Sequence, residues 1–215
     1  MSELSGLYIV IEGNDGTGKS TQVELLAEHF REQGREVCVV EEPGSDDPEK
    51  TTPVASYLRE VIKNGSLARA AEINLALFSA ARRELWQQKI QPALGRGAVV
   101  LSARNYFSTV AYQGYGEGMD VAEIVRVTEL FTDPRYMQPD LALVLTLSHK
   151  VRGERIAMRG QLEHPDTFES RGQDFQDTVN RAYEEIAATY GAELISATGS
   201  VEEVHELILA KIAQM

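Results

Sequence analysis

The stretch LYIVIEGNDGTGKSTQVELL, residues 7–26, decides the fold of this chain. Residues 7–12 form a short, nearly continuous apolar run of the kind found in buried parallel strands. The segment GNDGTGKS, residues 13–20, fits the pattern G-x-x-x-x-G-K-[ST]. Apolar residues then recur at helical spacing from Val23 to Phe30. A strand, a glycine-rich loop and a helix in this order predict a phosphate-binding loop.

The residues of this loop predict a site for ATP and Mg²⁺. Its glycines let the backbone curl so that successive N–H groups converge on phosphate oxygens, and the following helix adds the positive end of its dipole. We expect Lys19 to reach the transferable phosphates as a catalytic residue and Ser20 to bind Mg²⁺. The residues expected to bind ATP are Gly13, Asn14, Asp15, Gly16, Thr17, Gly18, Lys19, Ser20 and Thr21.

Two carboxylates accompany the loop and leave alternatives open. A carboxylate aimed at a triphosphate would be repelled, so Asp15 is expected to face a metal-bound water or a hydroxyl of a second substrate and to act in catalysis. Its alternative is a turn-stabilising role through hydrogen bonds to its own backbone. Glu12, at the end of the first strand, orients either a loop or a metal-bound water, or simply caps the strand.

Composition and charge exclude several classes of protein. The chain has 43% apolar and 25% charged residues, as expected for a globular protein. Its 33 acidic and 21 basic residues give a net charge of −12, which repels a nucleic-acid backbone. The sequence lacks an apolar run of the roughly 20 residues that a membrane-spanning helix needs. We therefore expect a cytoplasmic protein without nucleic-acid or membrane partners.

Strand-like and helical patterns alternate along the chain and predict a single α/β domain, residues 1–215, with a five-stranded parallel sheet between helices. Three turn-rich segments interrupt the alternation and are expected to form loops above the carboxyl ends of the strands, where ligands of such sheets bind. The strand-like runs are 7–12, 36–41, 97–103, 141–147 and 192–197, and the turn-rich segments are 42–53, 112–120 and 159–172.

Four later motifs, together with the loop, resemble the thymidylate kinase family along nearly the whole chain. They are Glu42-Pro43-Gly44, FSAAR at 78–82, ARNYFSTVAYQG at 103–114 and DFQDTVNRAY at 174–183. The resemblance implies the three-layer fold of P-loop kinases with a short lid at about 155–172 and an acceptor-binding region at about 42–120. It also implies transfer of the ATP γ-phosphate to dTMP with Mg²⁺, by a homodimer.

The resemblance assigns several residues to the acceptor, and simple chemistry supports each assignment. Arg104 would grip the monophosphate with two parallel hydrogen bonds and act in catalysis, unless it is an ordinary surface arginine. Phe78 would pack on the base and Arg82, four residues later, would reach the nucleotide. The alternatives are a core aromatic ring for Phe78 and a solvated side chain for Arg82.

The remaining acceptor residues are polar or aromatic. Glu42 belongs to the acidic-Pro-Gly motif. Ser108 and Gln113 would bond the pyrimidine edge or the sugar, or act as turn and cap residues. Tyr112 would stack near the sugar or lie in the core.

The lid is expected to supply the cation that stabilises the transition state, because Gly16 stands where some thymidylate kinases carry an arginine. The candidates are Arg155, Arg159 and Arg171. Arg159, beside a possible hinge at Gly160, is the preferred catalytic residue, and Arg155 is expected to contact ATP. The alternative for Arg159 is a solvated helix end.

The chain departs from the family pattern at three places. Ala103 replaces the usual aspartate before Arg104, Glu41 replaces an arginine, and Thr167 replaces an arginine of the lid. These changes keep two other functions open: a kinase for another pyrimidine deoxynucleotide or a deoxynucleoside, and a nucleotide-binding regulatory protein that has lost catalysis.

Overall fold

The computed structural model describes residues 6–158, 167–168 and 171–215. Its five strands form one parallel sheet in the order β2-β3-β1-β4-β5. The strands are β1 Leu7–Gly13, β2 Val37–Glu41, β3 Val99–Ala103, β4 Leu141–Thr146 and β5 Glu193–Ser196. The predicted five-stranded sheet is therefore confirmed, with strand ends within two residues of the expected ones.

Helices connect the strands. The α-helices are α1 Lys19–Glu32, α2 Pro53–Lys63, α3 Ala71–Leu85, α4 Gln91–Gly95, α5 Tyr106–Thr109, α6 Val121–Phe131, α7 Pro134–Met137, α8 His149–Met158, α9 Gln173–Tyr190 and α10 Val201–Ile212. A 3-10 turn occupies Pro48–Lys50, and π-helical turns occupy Trp86–Ile90 and Val110–Gly116. Within the described residues, none of these helices is long and apolar enough to cross a bilayer.

Alternate strand residues face two separate cores, so the sheet forms the middle of three layers. Ile9 and Ile11 of β1 face α1 and α10, which bury Leu26 and Ile208. Tyr8 and Val10 face the opposite core, which includes residues of α9 such as Val179 and Tyr183, and of the turn after α3. Hence β1, with both faces covered, holds the loop that follows it in a fixed position.

The tight junction between β1 and the loop explains its first glycine. Gly13 pairs with Leu145 of β4 and has φ of 134°, a conformation that side chains disfavour. A Cβ atom there would lie 2.4 Å from the Leu145 carbonyl oxygen. Gly18, with φ of 93°, then precedes the first turn of α1, which has no side-chain cap among the described residues.

One predicted loop is wrong. Residues 112–116 continue α5 as a π-helical turn, and only residues 117–120 leave the helix. Gly114 serves close packing, because a Cβ there would approach Val121 and Ile124 at 3.2 and 3.3 Å. The predicted loop at 42–53 contains a short 3-10 turn. Most of the third predicted loop, at 159–166 and 169–170, lies outside the described residues.

Candidate active site

One cleft at the carboxyl ends of the strands gathers most of the predicted site. It has a volume of about 280 Å³ and lies between the glycine-rich loop, the β2–α2 connection and the segment after β3. The predicted site residues that line it are Asp15, Gly16, Gly18, Lys19, Ser20, Thr21, Glu42, Phe78, Arg104, Ser108, Tyr112 and Gln113. The residues predicted to bind ATP and those predicted to bind the acceptor nucleotide thus line one cleft, although up to about a hundred positions separate them in the chain.

The loop holds its shape through hydrogen bonds to the carbonyl oxygen of Asn14. Lys19 Nζ and Thr17 Oγ1 both donate to this oxygen at 2.9 Å. The positive φ angles of Gly16 and Gly18, 85° and 93°, curl the backbone between them. The loop is therefore already formed as an anion cradle.

The side chain of Asn14 ties the loop to the rest of the domain. Its Nδ2 donates to Asn180 Oδ1 of α9 at 2.8 Å. Its Oδ1 accepts from the Asp15 N–H at 2.7 Å and from the Tyr112 hydroxyl at 2.9 Å. Asn14 is buried, so its side chain supports the loop and leaves only its backbone to contact a phosphate.

Asp15 forms an ion pair with Arg104 across the cleft and also accepts from the Tyr112 hydroxyl at 3.1 Å. Burial opposes ionisation of Asp15, but the charges of Arg104 and Lys19 outweigh burial and hold its pKa well below the usual value. The carboxylate thus turns towards Arg104 and Tyr112, and its predicted contact with a metal-bound water or a hydroxyl of a second substrate stays a prediction. Its bonds to Arg104 and Tyr112 take the place of the backbone bonds of the turn-stabilising alternative.

Arg104 adopts an unusual backbone conformation, with φ of 75°. Its Nη1 donates to the Gly13 carbonyl at 3.2 Å, to Ser108 Oγ at 2.9 Å and to the Tyr183 hydroxyl at 3.2 Å. Its side chain is 16% exposed. Arg104 is therefore not a surface arginine, because the protein fixes its guanidinium at the edge of the cleft.

Glu12 is fully buried and organises the segment after β3. It accepts from the N–H groups of Asn105 at 2.8 Å and Ser108 at 3.1 Å, and from the hydroxyls of Ser108 at 2.8 Å and Tyr183 at 3.0 Å. Of the roles that the sequence left open for Glu12, the structure shows that of orienting a loop.

Glu42 and Arg82 form a second ion pair, sealed from solvent. Arg82 Nε donates to Glu42 Oε2 at 3.1 Å and to the Tyr136 hydroxyl at 2.8 Å, and its Nη2 donates to Thr109 Oγ1 at 3.0 Å. Burial raises the pKa of Glu42, and its contacts with Arg82 and Tyr136 partly offset this rise. Arg82 is 2% exposed and does not line the cleft, so the alternative of a solvated arginine is wrong, and its predicted reach to the nucleotide stays a prediction.

Aromatic rings and one amide form the remaining acceptor side of the cleft. Phe78 is half-buried, and its ring centroid lies 6.0 Å from that of Phe168, which in turn lies 5.7 Å from that of Tyr112. Gln113 is fully buried, and its Nε2 donates to Glu117 Oε2 at 3.1 Å. Its Oε1 accepts no hydrogen bond from the described residues, so an acceptor group remains available there.

The predicted lid arginines that the structure describes have different partners. Arg155 Nη2 donates to the carbonyls of Ala197 at 2.9 Å and Gly199 at 3.4 Å, in the loop between β5 and α10. Arg171 Nη1 pairs with Glu117 Oε1 at 3.2 Å. Arg159, the preferred catalytic candidate, lies outside the described residues.

Sequence reasoning missed three residues of the site. Arg152 of α8 is buried, and its Nε donates to the Asp15 carbonyl of the loop at 2.9 Å. Phe168 lines the cleft, and Tyr136 bonds the Glu42–Arg82 pair. The position of Arg152 one helical turn before Arg155 was a weak signal. The local sequences around Phe168 and Tyr136 gave no comparable signal.

The donor set fits Mg²⁺ only as a partner of bound phosphates. Within the described residues, no group of three His, Cys, Asp or Glu side chains could hold a metal ion. Ser20, exposed in the first turn of α1, provides one hydroxyl in the cleft. Mg²⁺ commonly takes one or two protein ligands together with phosphate oxygens and waters, so a single hydroxyl is compatible with it.

Comparison with known proteins agrees with this site. A family model described as thymidylate kinase matches residues 11–208. The chain belongs to the thymidylate kinase family. It is 42% identical over 204 residues to a thymidylate kinase of Pseudomonas putida strain F1, covering 94% of this chain and 92% of the relative. It is 44% identical over 181 residues to one from Pseudomonas entomophila, covering 84% and 81%.

A solved structure extends the similarity of this thymidylate kinase family member to its fold. The crystal structure of thymidylate kinase from Ehrlichia chaffeensis superimposes with a TM-score of 0.73 at 25% sequence identity. The match covers 97% of this chain and 99% of the other. The parallel sheet, its helices and the phosphate loop are therefore those of a nucleoside monophosphate kinase.

Proposed function

We propose that this chain transfers the γ-phosphate of ATP to dTMP, giving ADP and dTDP for dTTP synthesis. The observation that carries the proposal is that the phosphate loop and Arg104 line the same cleft. The loop suits a polyphosphate, and a guanidinium suits a monophosphate. Two anions held end to end in one cleft meet the positional requirement of in-line phosphoryl transfer.

At the donor end, the backbone of residues 13–18 and the N-terminus of α1 bind the phosphates of ATP. Lys19 exchanges the Asn14 carbonyl for the transferable phosphate, whose charge it neutralises. Ser20 would hold Mg²⁺ through its hydroxyl. When bound, the ion neutralises charge on the nucleotide.

At the acceptor end, Arg104 binds the phosphate of dTMP. Asp15 and Ser108 hold its guanidinium in place. Phe78 packs against the pyrimidine, and the unpartnered Oε1 of Gln113 accepts a hydrogen bond from the base. Positioning and neutralised charge together account for the rate enhancement.

The transition-state cation comes from the lid. Arg159 keeps this role in the proposal, since an arginine that contacts the moving phosphoryl group is worth roughly 10³- to 10⁵-fold in rate. Arg155, already bound to the loop after β5, contacts ATP from that side.

A cytoplasmic homodimer completes the proposal. Val54, Tyr57 and Val61 lie on one face of α2 and are 51%, 70% and 40% exposed, and Ile73 at the start of α3 is 52% exposed. Such an apolar face on two neighbouring helices supports association with a second copy. Sedimentation of the purified chain tests the dimer, and a monomer at all concentrations would contradict it.

A panel of acceptors tests the proposed reaction. ADP release from ATP and Mg²⁺ would be measured with dTMP, dUMP, dCMP and thymidine. We expect strong preference for dTMP and loss of turnover in Lys19→Ala. Equal or better use of another acceptor would replace dTMP, and ATP binding without turnover for every acceptor would indicate a regulatory protein.

A further inference from the structure

Tyr136 joins the two members of the sealed ion pair through a single hydroxyl. This hydroxyl donates to Glu42 Oε1 at 2.6 Å and accepts from Arg82 Nε at 2.8 Å. The guanidinium carbon of Arg82 lies 5.9 Å from the centroid of the tyrosine ring. The residue is completely buried. One side chain therefore fixes the positions of a carboxylate and a guanidinium at the same time.

The helix that carries Tyr136 is itself firmly anchored. Asp133 caps α7 by accepting from the Arg135 N–H at 2.9 Å. Arg135 donates to the Gly6 carbonyl at 3.2 Å and pairs with Asp140. These contacts link α7 to the starts of β1 and β4, so its backbone has little freedom to shift.

Ring contacts hold the side chain as well. The ring of Tyr136 lies 6.0 Å from Tyr8, 5.9 Å from Trp86 and 6.4 Å from Tyr106, measured between centroids. Aromatic packing of this kind leaves few rotamers available. The hydroxyl thus stands at a fixed point beneath the acceptor side of the cleft.

The two groups that Tyr136 holds belong to the acceptor side. Glu42 lines the cleft and begins the connection from β2 to α2. Arg82 lies one helical turn after Phe78, which also lines the cleft. Two of the guanidinium nitrogens of Arg82 donate to Tyr136, Glu42 and Thr109. The third, Nη1, is buried without a hydrogen-bond partner within the described part of the chain.

We propose that Tyr136 is a positioning residue for the acceptor nucleotide. Its hydroxyl sets the relative placement of Glu42 and Arg82, and through them the wall against which the base of the acceptor packs. This inference rests on the proposed function. It assigns Tyr136 no part in binding ATP, because its contacts lie on the acceptor side and the phosphate loop contacts other residues.

Tyr136→Phe tests the hydroxyl alone. Phenylalanine fills nearly the same volume, so the ring contacts remain, while Glu42 Oε1 and Arg82 Nε each lose a partner. The loss of hydrogen bonds to two charged groups should let Glu42 and Arg82 shift, and with them the wall against which the base packs. Because one such hydrogen bond corresponds to at least about a tenfold change in an equilibrium constant, we expect the KM for dTMP to rise roughly tenfold. The KM for ATP and kcat should change less than about twofold, since the donor end is untouched.

Tyr8→Phe is the matched control. Tyr8 is equally buried and packs on Tyr136, but its hydroxyl makes no hydrogen bond to Glu42 or Arg82. Removal of this hydroxyl should leave the KM for dTMP unchanged. Thermal unfolding of both variants separates loss of stability from loss of acceptor binding.

The pH profile provides a readout that a purely structural role would not move. Arg82, Tyr136, Glu12 and Tyr8 are the titratable groups that act on or face Glu42. Tyr8 does so without a hydrogen bond, whereas the Tyr136 hydrogen bond is one of the contacts that lower the pKa of Glu42. Its loss should therefore raise that pKa further. In Tyr136→Phe, we expect the acid limb of kcat/KM for dTMP to move to higher pH, and in Tyr8→Phe to stay.

Several results would overturn the proposal. An unchanged KM for dTMP, equal rises in the KM for dTMP and ATP, or a variant too unstable to isolate would each make Tyr136 structural only. Calorimetric titration with dTMP keeps the test separate from turnover. If the wild type fails to phosphorylate dTMP, the proposed function is wrong. If the wild type binds dTMP and Tyr136→Phe binds it equally well, only the role of Tyr136 is wrong.

Discussion

The two arginine–carboxylate pairs of the acceptor side have the same chemistry but differ in access to solvent. In the Arg104–Asp15 pair the side chains are 16% and 20% exposed, whereas in the Arg82–Glu42 pair they are 2% and 3% exposed. A guanidinium at the edge of a cleft is able to bind an incoming anion. A sealed one is limited to the partners that surround it. Burial therefore separates the arginine that we propose binds the acceptor phosphate from the arginine that serves as an internal partner of Glu42.

Disruption of the sealed pair should have the largest effect, and it should be on stability. Arg82→Met leaves Glu42 as an uncompensated buried charge, so we expect the free energy of unfolding to fall by about 3–5 kcal/mol. Urea unfolding at neutral pH measures it. The double variant with Glu42→Gln should recover part of the loss, because the stranded charge is removed.

Arg83→Met provides the control for Arg82→Met. Arg83 follows Arg82 on α3 and donates to the Phe131 carbonyl at 3.2 Å, from a more exposed position. It should cost much less stability. If both variants lost the same free energy of unfolding, the contrast between sealed and accessible arginines would be contradicted.

Disruption of the accessible pair should act on the reaction. Arg104→Ala removes the group proposed to hold the acceptor phosphate, so kcat/KM for dTMP should fall roughly 10²- to 10³-fold. Calorimetry should show ATP binding within about twofold of the wild type. Near-normal use of dTMP by this variant would contradict the assignment of Arg104 to the acceptor phosphate and would favour a nucleoside acceptor.

Arg96→Ala is the corresponding control. Arg96 also pairs with a carboxylate, Glu36 at 2.8 Å, but both side chains are more than half exposed. Exposed ion pairs contribute little to the free energy of unfolding, and this pair lies outside the cleft. Its loss should leave both kcat/KM and stability near the wild-type values.

The smallest expected effect is the contribution of Asp15 to the pH dependence of the free energy of unfolding. Its pKa is lower in the folded than in the unfolded chain, so its ionised form stabilises the fold. This contribution is complete above about pH 4, the ordinary value for aspartate, and is lost as the pH falls through the lowered pKa. Asp15→Asn should reduce the free energy of unfolding at pH 7 by about 1 kcal/mol, as expected for a partly exposed pair.

Unfolding of the wild type and Asp15→Asn, measured from pH 7 down to about pH 2, checks this sign. The difference between the two proteins should shrink in acid. A difference that grows as the pH falls would show that Asp15 has a raised pKa and that Arg104 is not its main partner.

Much of the site was readable from local patterns. The phosphate loop needs eight consecutive residues, 13–20, whose conformation depends mainly on glycines and on the flanking strand and helix. Arg104 follows a predicted strand, so its place at the carboxyl edge of the sheet could be expected. By contrast, 112–116 was predicted as a loop because glycines suggest turns, whereas Gly114 there permits a close approach of α6.

The residues that were missed act across long separations in the chain. Tyr136 reaches Glu42, 94 positions away, and Arg152 reaches Asp15, 137 positions away. The sequence around Tyr136 shows no pattern that differs from an ordinary helix, and the local signal for Arg152 is limited to its position one turn before Arg155. Only the tertiary placement of α7 and α8 brings these side chains to the site.

The sequence alone determined the alternation of strands and helices, the phosphate loop and the net charge, because each depends on residues close in the chain or on their sum. The tertiary structure decided which arginine is sealed and which faces the cleft. That distinction depends on the neutral and charged groups that distant elements place around each guanidinium. Neither Arg82 nor Arg104 carries this information in its own stretch of sequence.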